Sequence, residues 1–87
     1  MSKQKEKPWE NPKKFKVLLV TPTDSYLCAG DTDDELHLDI YEKMVENKIE
    51  TIEMGFGWMG TMPMIPAFAR EHIHRAIDKY IKKEGVQ

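Results

Sequence analysis

The first sustained apolar run is Phe15–Thr21, FKVLLVT, which stops at Pro22. A short block that is mainly apolar and holds two valines predicts a strand covered on both faces, the situation found in parallel sheets. Residues 22–31, PTDSYLCAGD, show no clean period and are rich in turn formers, so they predict a loop. Thr32-Asp33-Asp34-Glu35 then reads as a capping box, with Thr32 at the N-cap and Glu35 reaching back from the third helical position. The helix it opens runs to about Glu46, and Asn47 suits a left-handed C-cap. On that helix Leu36, Ile40 and Met44 share a line, which Tyr41, Val45 and Leu38 widen, while Glu35, Asp39, Glu42, Lys43 and Glu46 fill the other side. The apolar arc spans about 200°, twice the ~100° that one core requires.

Residues 49–54, IETIEM, predict a second strand with weaker patterning. A loop rich in Gly and Met follows, and Pro66 opens a second helix. Its narrower stripe is Ala69, Ile73, Ala76, Ile77, Tyr80 and Ile81, and Lys82 and Lys83 complement the dipole at its end. No internal repeat is visible. The order strand–helix–strand–helix predicts a small α/β unit with a short parallel sheet, since such crossovers join parallel strands. Residues 1–14 form a flexible basic tail with Trp9 as a possible anchor, 15–84 the single domain, and 85–87 a C-terminal tail. Two strands are too few to stand alone. With the overwide helix, this predicts a fold completed by oligomerisation, as a dimer or on a larger protein subunit.

Composition narrows the function classes. The chain has 87 residues and a net charge of −2, but residues 1–16 carry six lysines and two glutamates, leaving −6 on the remainder. An acidic body repels a phosphate backbone, which disfavours nucleic acid. No apolar run approaches the ~20 residues of a membrane span. The lysine-rich start has no hydrophobic segment of a secretory leader. The single cysteine, Cys28, excludes an internal disulfide and a cysteine zinc cluster, and a reducing, cytoplasmic location is expected.

The candidate chemistry concentrates in two loops. In a parallel unit, the loops after both strands share one edge with both helix N-termini, where open α/β sheets bind ligands. Thr21, Thr23, Asp24, Ser25, Cys28, His37, Phe56, Trp58 and Arg70 would converge there. Arg70, a cation early in its helix, would grip a carboxylate or phosphate. His37 or Cys28 would supply proton or thiol chemistry. Gly55-Phe56-Gly57-Trp58-Met59-Gly60 spells G-x-G-x-x-G. A dinucleotide site needs a helix opening within those glycines, and Pro63 and Pro66 block one. Met59, Met62 and Met64 have a spacing suited to copper(I), with Cys28 as a further soft ligand. Methionine beside Phe56 and Trp58 fits a protein-contact surface better. His72 and His74 lie about 200° apart on a helix and read as surface histidines. Asp31, Asp33 and Asp34 lack the spacing of a calcium loop.

The leading expectation is a non-catalytic assembly or accessory subunit, compatible with a small subunit of a larger enzyme. Phe56, Trp58, Met59, Met62 and Met64, with Leu38, Tyr41 and Val45, would make its contacts. Anionic-ligand binding or catalysis through Thr23, Asp24, Ser25, Cys28, His37 and Arg70 is the second expectation, and soft-metal binding the third. Neither a resident metal nor a cofactor is expected.

Overall fold

The structure, a computed structural model, describes residues 7–82. After a short 3-10 turn at Pro8–Glu10 come β1 (Phe15–Val20), β2 (Ser25–Gly30), α1 (Asp33–Glu46), β3 (Met54–Met59), β4 (Met62–Met64) and α2 (Pro66–Ala76). A π-type turn, Ile77–Lys82, extends α2. The expected domain end at 84 and the tail at 85–87 lie outside the described residues, as do positions 1–6 of the basic tail.

The protein is α/β as expected, but its sheet has four strands in the order β2-β1-β3-β4, and every pairing is antiparallel. The expected parallel pair is therefore corrected. What read as the loop 22–31 is a tight turn followed by β2. Thr21 closes that turn, donating from its N–H to the Asp24 carbonyl (2.8 Å) and accepting the Asp24 N–H on Oγ1 (3.0 Å). This lets the chain double back, and Phe15 to Val20 pair with Gly30 to Ser25. Conversely, most of 49–54 is not strand. Ile49 and Ile52 are three residues apart, not two, and both tuck against the core while the chain returns from α1 to the sheet. Pairing resumes where the Glu53 N–H donates to the Val20 carbonyl (2.8 Å).

The chain is thus two successive ββα units, with α1 packed mainly on β2 and α2 on β3. Antiparallel pairing of β1 with β3 relates them by an approximate two-fold, an internal repeat of topology without one of sequence. Both helices lie on one sheet face and meet over its centre. There Val17, Leu19, Cys28, Leu36, Ile40, Met44, Ile73 and Ala76 form the buried core. Most of the wide apolar arc of α1 is used within the chain: Leu36, Ile40 and Met44 face the core, and Tyr41 stacks on Tyr80 (centroids 5.1 Å apart). Leu38 and Val45 remain exposed. The argument that this helix needs an outside partner therefore falls, and so does the argument from missing strands.

The helix ends follow local rules. Thr32 Oγ1 accepts the Glu35 N–H (3.2 Å), and Glu35 reaches back to the Asp31 N–H (3.0 Å). Pro66 occupies the first turn of α2. The left-handed residue after α1 is Lys48 (φ 53°), not Asn47, whose side-chain amide instead donates to the Lys43 carbonyl (2.9 Å). Among the described residues, no helix is long and apolar enough to cross a membrane.

Candidate functional site

Strand side chains alternate between faces, so the register sorts this sheet. Gly55, Gly57 and Met59 point toward the helices beside Leu19, Val17 and Phe15, and Met54, Phe56 and Trp58 point away beside Val20, Leu18 and Lys16. This resolves G-x-G-x-x-G. A Cβ on Gly57 would stand 2.7 Å from Met64 Sδ and 3.2 Å from Ala69 Cβ, and one on Gly55 would stand 2.6 Å from Ile73 Cδ1. The first two glycines let α2 lie close on β3, and the third, Gly60, turns the hairpin at φ +65°. The motif is a strand and a turn, with its large residues thrown onto the opposite face.

That helix-free face is apolar. Leu18, Val20 and Leu27 are half-buried on it, while Phe56 is 40% and Met54 54% exposed. One end is covered by the segment before β1, where Trp9 lies against Trp58 (centroids 6.4 Å apart). Among the strand residues on this face, one side chain is ionisable, Lys16, which is only 1% exposed. Its ammonium donates to three backbone carbonyls, of Asn11 (3.0 Å), Lys13 (2.9 Å) and Gly60 (2.6 Å). A buried cation without an anion is tolerable only when its donors are satisfied, and here all three are.

A second cluster joins the helices. Lys79 Nζ lies 2.9 Å from Asp34 Oδ1 and 3.1 Å from His37 Nδ1, and His37 Nε2 lies 2.9 Å from His72 Nδ1. An ammonium has no lone pair, so His37 Nδ1 accepts from Lys79 and the ring carries its proton on Nε2. It then donates to His72 Nδ1, which places the His72 proton on Nε2. Both rings are held neutral. Burial lowers the His37 pKa, and Lys79 and His72 lower it further against Asp33 and Asp34. Burial also lowers that of His72, with Arg75 adding and Asp33 and Glu71 opposing. The Lys79 hydrogen bond and charge hold Asp34 below the usual carboxylate range. Every inner lone pair and proton of this chain of groups is used in joining α1 to α2. His72, read from sequence as a surface histidine, is half-buried against His37, and Lys79 was not singled out, although their i, i+7 spacing puts them on one helical face.

The expected ligand rim does not assemble, because hairpins send successive loops to opposite ends of a sheet. Thr23 and Asp24 sit in the β1–β2 turn and Ser25 just after it, six residues of strand away from the start of α1. His37 belongs to the end of the sheet near Phe15, whose ring lies 6.3 Å from that of His72. Arg70 belongs to the end near Met54, lining a cleft of about 250 Å³ with Met44, Ile52, Ile73 and His74. Glu50 and Glu53 also line that cleft and disfavour an anion beside Arg70. Cys28 is fully buried under α1, and burial followed by the nearby Asp39 pushes its thiol far above the ordinary range. Across the ladder Cys28–Val17–Gly57–Met64 it stands three strands, roughly 14 Å, from the methionines it was to join. Met59 and Met62 pair on the helix side of the hairpin, and Met62 is 68% exposed. Among the described residues, no group of three or more His, Cys, Asp or Glu is placed to hold a metal.

Comparison with known proteins gives no match to a family model, to a curated protein or to a solved structure.

Proposed function

We propose that the chain is a non-catalytic assembly subunit whose contact surface is the open face of the sheet. The observation that supports this most is the exposure of the apolar side chains of Phe56 and Met54, on a strand whose glycines are spent on the other side. Large apolar patches of this kind mark protein contacts in soluble domains. On this reading the contact role proposed for the Gly/Met/Trp stretch is divided. Phe56 faces the partner, Trp58 packs under Trp9, and Met64 and the glycines seat α2.

Catalysis has less support. The basic nitrogens of the histidine pair that face each other and Lys79 are occupied, the thiol is buried, and Arg70 stands apart from His37. Affinity capture from the producing cell with wild-type and Phe56→Thr baits tests the assembly reading. A partner, whether a second copy or another protein, recovered by the first and lost from the second is the expected result. Equal recovery by both refutes it.

A further inference from the structure

We infer that Met59, Met62 and Met64 form a thioether site for copper(I) on the helix side of the β3–β4 hairpin. The inference stands apart from the assembly reading above, which uses the opposite side of β3.

The pattern Met59-x-x-Met62-x-Met64 suits a soft cation by spacing alone, but spacing places no sulfur. The register does more. The turn at Gly60 makes Met59 and Met62 direct partners across the hairpin, and Met64 opposes Gly57. Strand side chains return to the same face at every second residue, so all three methionines lie on the side that faces α2. Phe56 and Trp58, whose company favoured a contact role for these methionines, lie on the other side. Gly57 completes the arrangement. With no side chain there, the Met64 sulfur settles over the β3 backbone, 2.7 Å from where a Cβ on Gly57 would stand. That is one step from Met59 along the same face.

Direct cross-strand partners stand about 5 Å apart at Cβ, and diagonal ones about 7–8 Å. Along one strand, positions two apart are separated by about 6.8 Å. A triangle with those sides has its centre about 4 Å from each corner. Methionine's long, unbranched and adaptable side chain reaches that far. Met59 (49% exposed) and Met62 (68% exposed) are held by little packing, so turning them toward Met64 costs little.

The donor set selects the ion. Thioethers are soft and neutral, which suits copper(I) and not zinc, calcium or magnesium. They leave the charge of the ion uncompensated, and the net charge of −6 on residues 17–87 favours its approach. Cys28 takes no part, being buried three strands away. A thioether has no proton to lose, so affinity should be insensitive to pH where thiolate or imidazole sites are not.

Anaerobic titration of the whole chain with copper(I), supplied as its acetonitrile complex and followed by methionine methyl NMR, tests this. The methyl signals of Met59, Met62 and Met64 should shift together and saturate at one equivalent, while those of Met44 and Met54 stay in place. Affinity should be flat between about pH 6 and pH 8. Met62→Leu, at a mostly exposed position, should keep the wild-type circular dichroism. It should weaken binding by about tenfold or more, since loss of an outer partner alone costs that much at metal sites. Met54→Leu, Cys28→Ala and Phe56→Thr should each bind like wild type. Three methyl signals that stay unmoved in excess copper(I) overturn the inference. So does a folded Met62→Leu variant of wild-type affinity, or binding that is lost with Cys28→Ala. None of these outcomes bears on the assembly reading, whose own test is made at Phe56.

Discussion

Lys16→Met probes the most unusual feature of the fold, a buried ammonium held by carbonyls alone. Methionine keeps the length and apolar stem but removes the charge and all three donors. If the surroundings stayed fixed, the carbonyls of Asn11, Lys13 and Gly60 would lose their partner, at about 1–3 kcal/mol each. The structure offers a cheaper response. Asn11 and Gly60 are only half-buried and Lys13 is exposed, so water reaches all three carbonyls once the segment before β1 lifts. Lifting separates Trp9 from Trp58, an aromatic contact worth about 1 kcal/mol beyond its buried area. The desolvation of the ammonium, several kcal/mol in its own right, is recovered in the variant and offsets part of the loss. A net destabilisation of about 2–3 kcal/mol follows.

Urea unfolding followed by circular dichroism measures this. With a slope near 1 kcal/mol/M for a small domain, the midpoint should fall by roughly 2 M. Tryptophan emission should shift to the red before unfolding begins, because Trp9 and Trp58 become wetter while the sheet persists. A variant with wild-type midpoint and emission would show that the three carbonyl bonds contribute nothing net, and that the segment is held by Trp9 alone.

Two further outcomes are expected. Gly30→Ala would place its Cβ against the Leu36 backbone nitrogen and 2.7 Å from the Glu35 carbonyl carbon; backbone cannot yield as a side chain does, so a loss of about 3 kcal/mol or more should appear in the urea midpoint. The histidine pair makes stability depend on pH. Both folded pKa values lie below the ordinary 6.5, so the unfolded chain binds more protons through that window. Stability should be complete above about pH 7 and fall as pH drops below 6.5, before the carboxylates titrate. Replacing His37 and His72 together by glutamine should flatten that slope, and an unchanged slope would mean that the pair stays neutral in neither state or both.

What the sequence made legible were the features that one segment settles by itself. β1, the Thr32 cap, the stripe of α2 and its opening at Pro66 all depend on neighbours within a few residues, and all are present in the structure. The strands that escaped notice depend on distant partners. In β2 both faces are mixed: Tyr26 and Cys28 lie inward, Leu27 and Ala29 outward, so no polar face marks the alternation. In β3 the inward positions are glycines, and the alternation runs between small and large residues, not between polar and apolar ones. Read by hydropathy, Gly-Phe-Gly-Trp looks like a flexible loop. Read by volume it is a strand with a helix pressed on one side.

That difference moves the candidate site as well as the fold. A Gly/Met/Trp loop at a shared edge implied a ligand rim with His37 and Arg70 within reach of each other. The same residues in an antiparallel sheet send Phe56 and Trp58 to the face without helices and leave Arg70 and His37 at opposite ends. Spending Gly55 and Gly57 on the approach of α2 removes side-chain volume from the core side of β3 and concentrates it on the other side. Phe56 is exposed because its neighbours in sequence are glycines whose task is to bring a helix near. A Gly57→Ala variant would push α2 away from β3 by meeting Met64 and Ala69, yet leave the register that sets Phe56 outward. The open face and the core packing are thereby separable, and substitutions at Phe56 read out the surface without disturbing the interior.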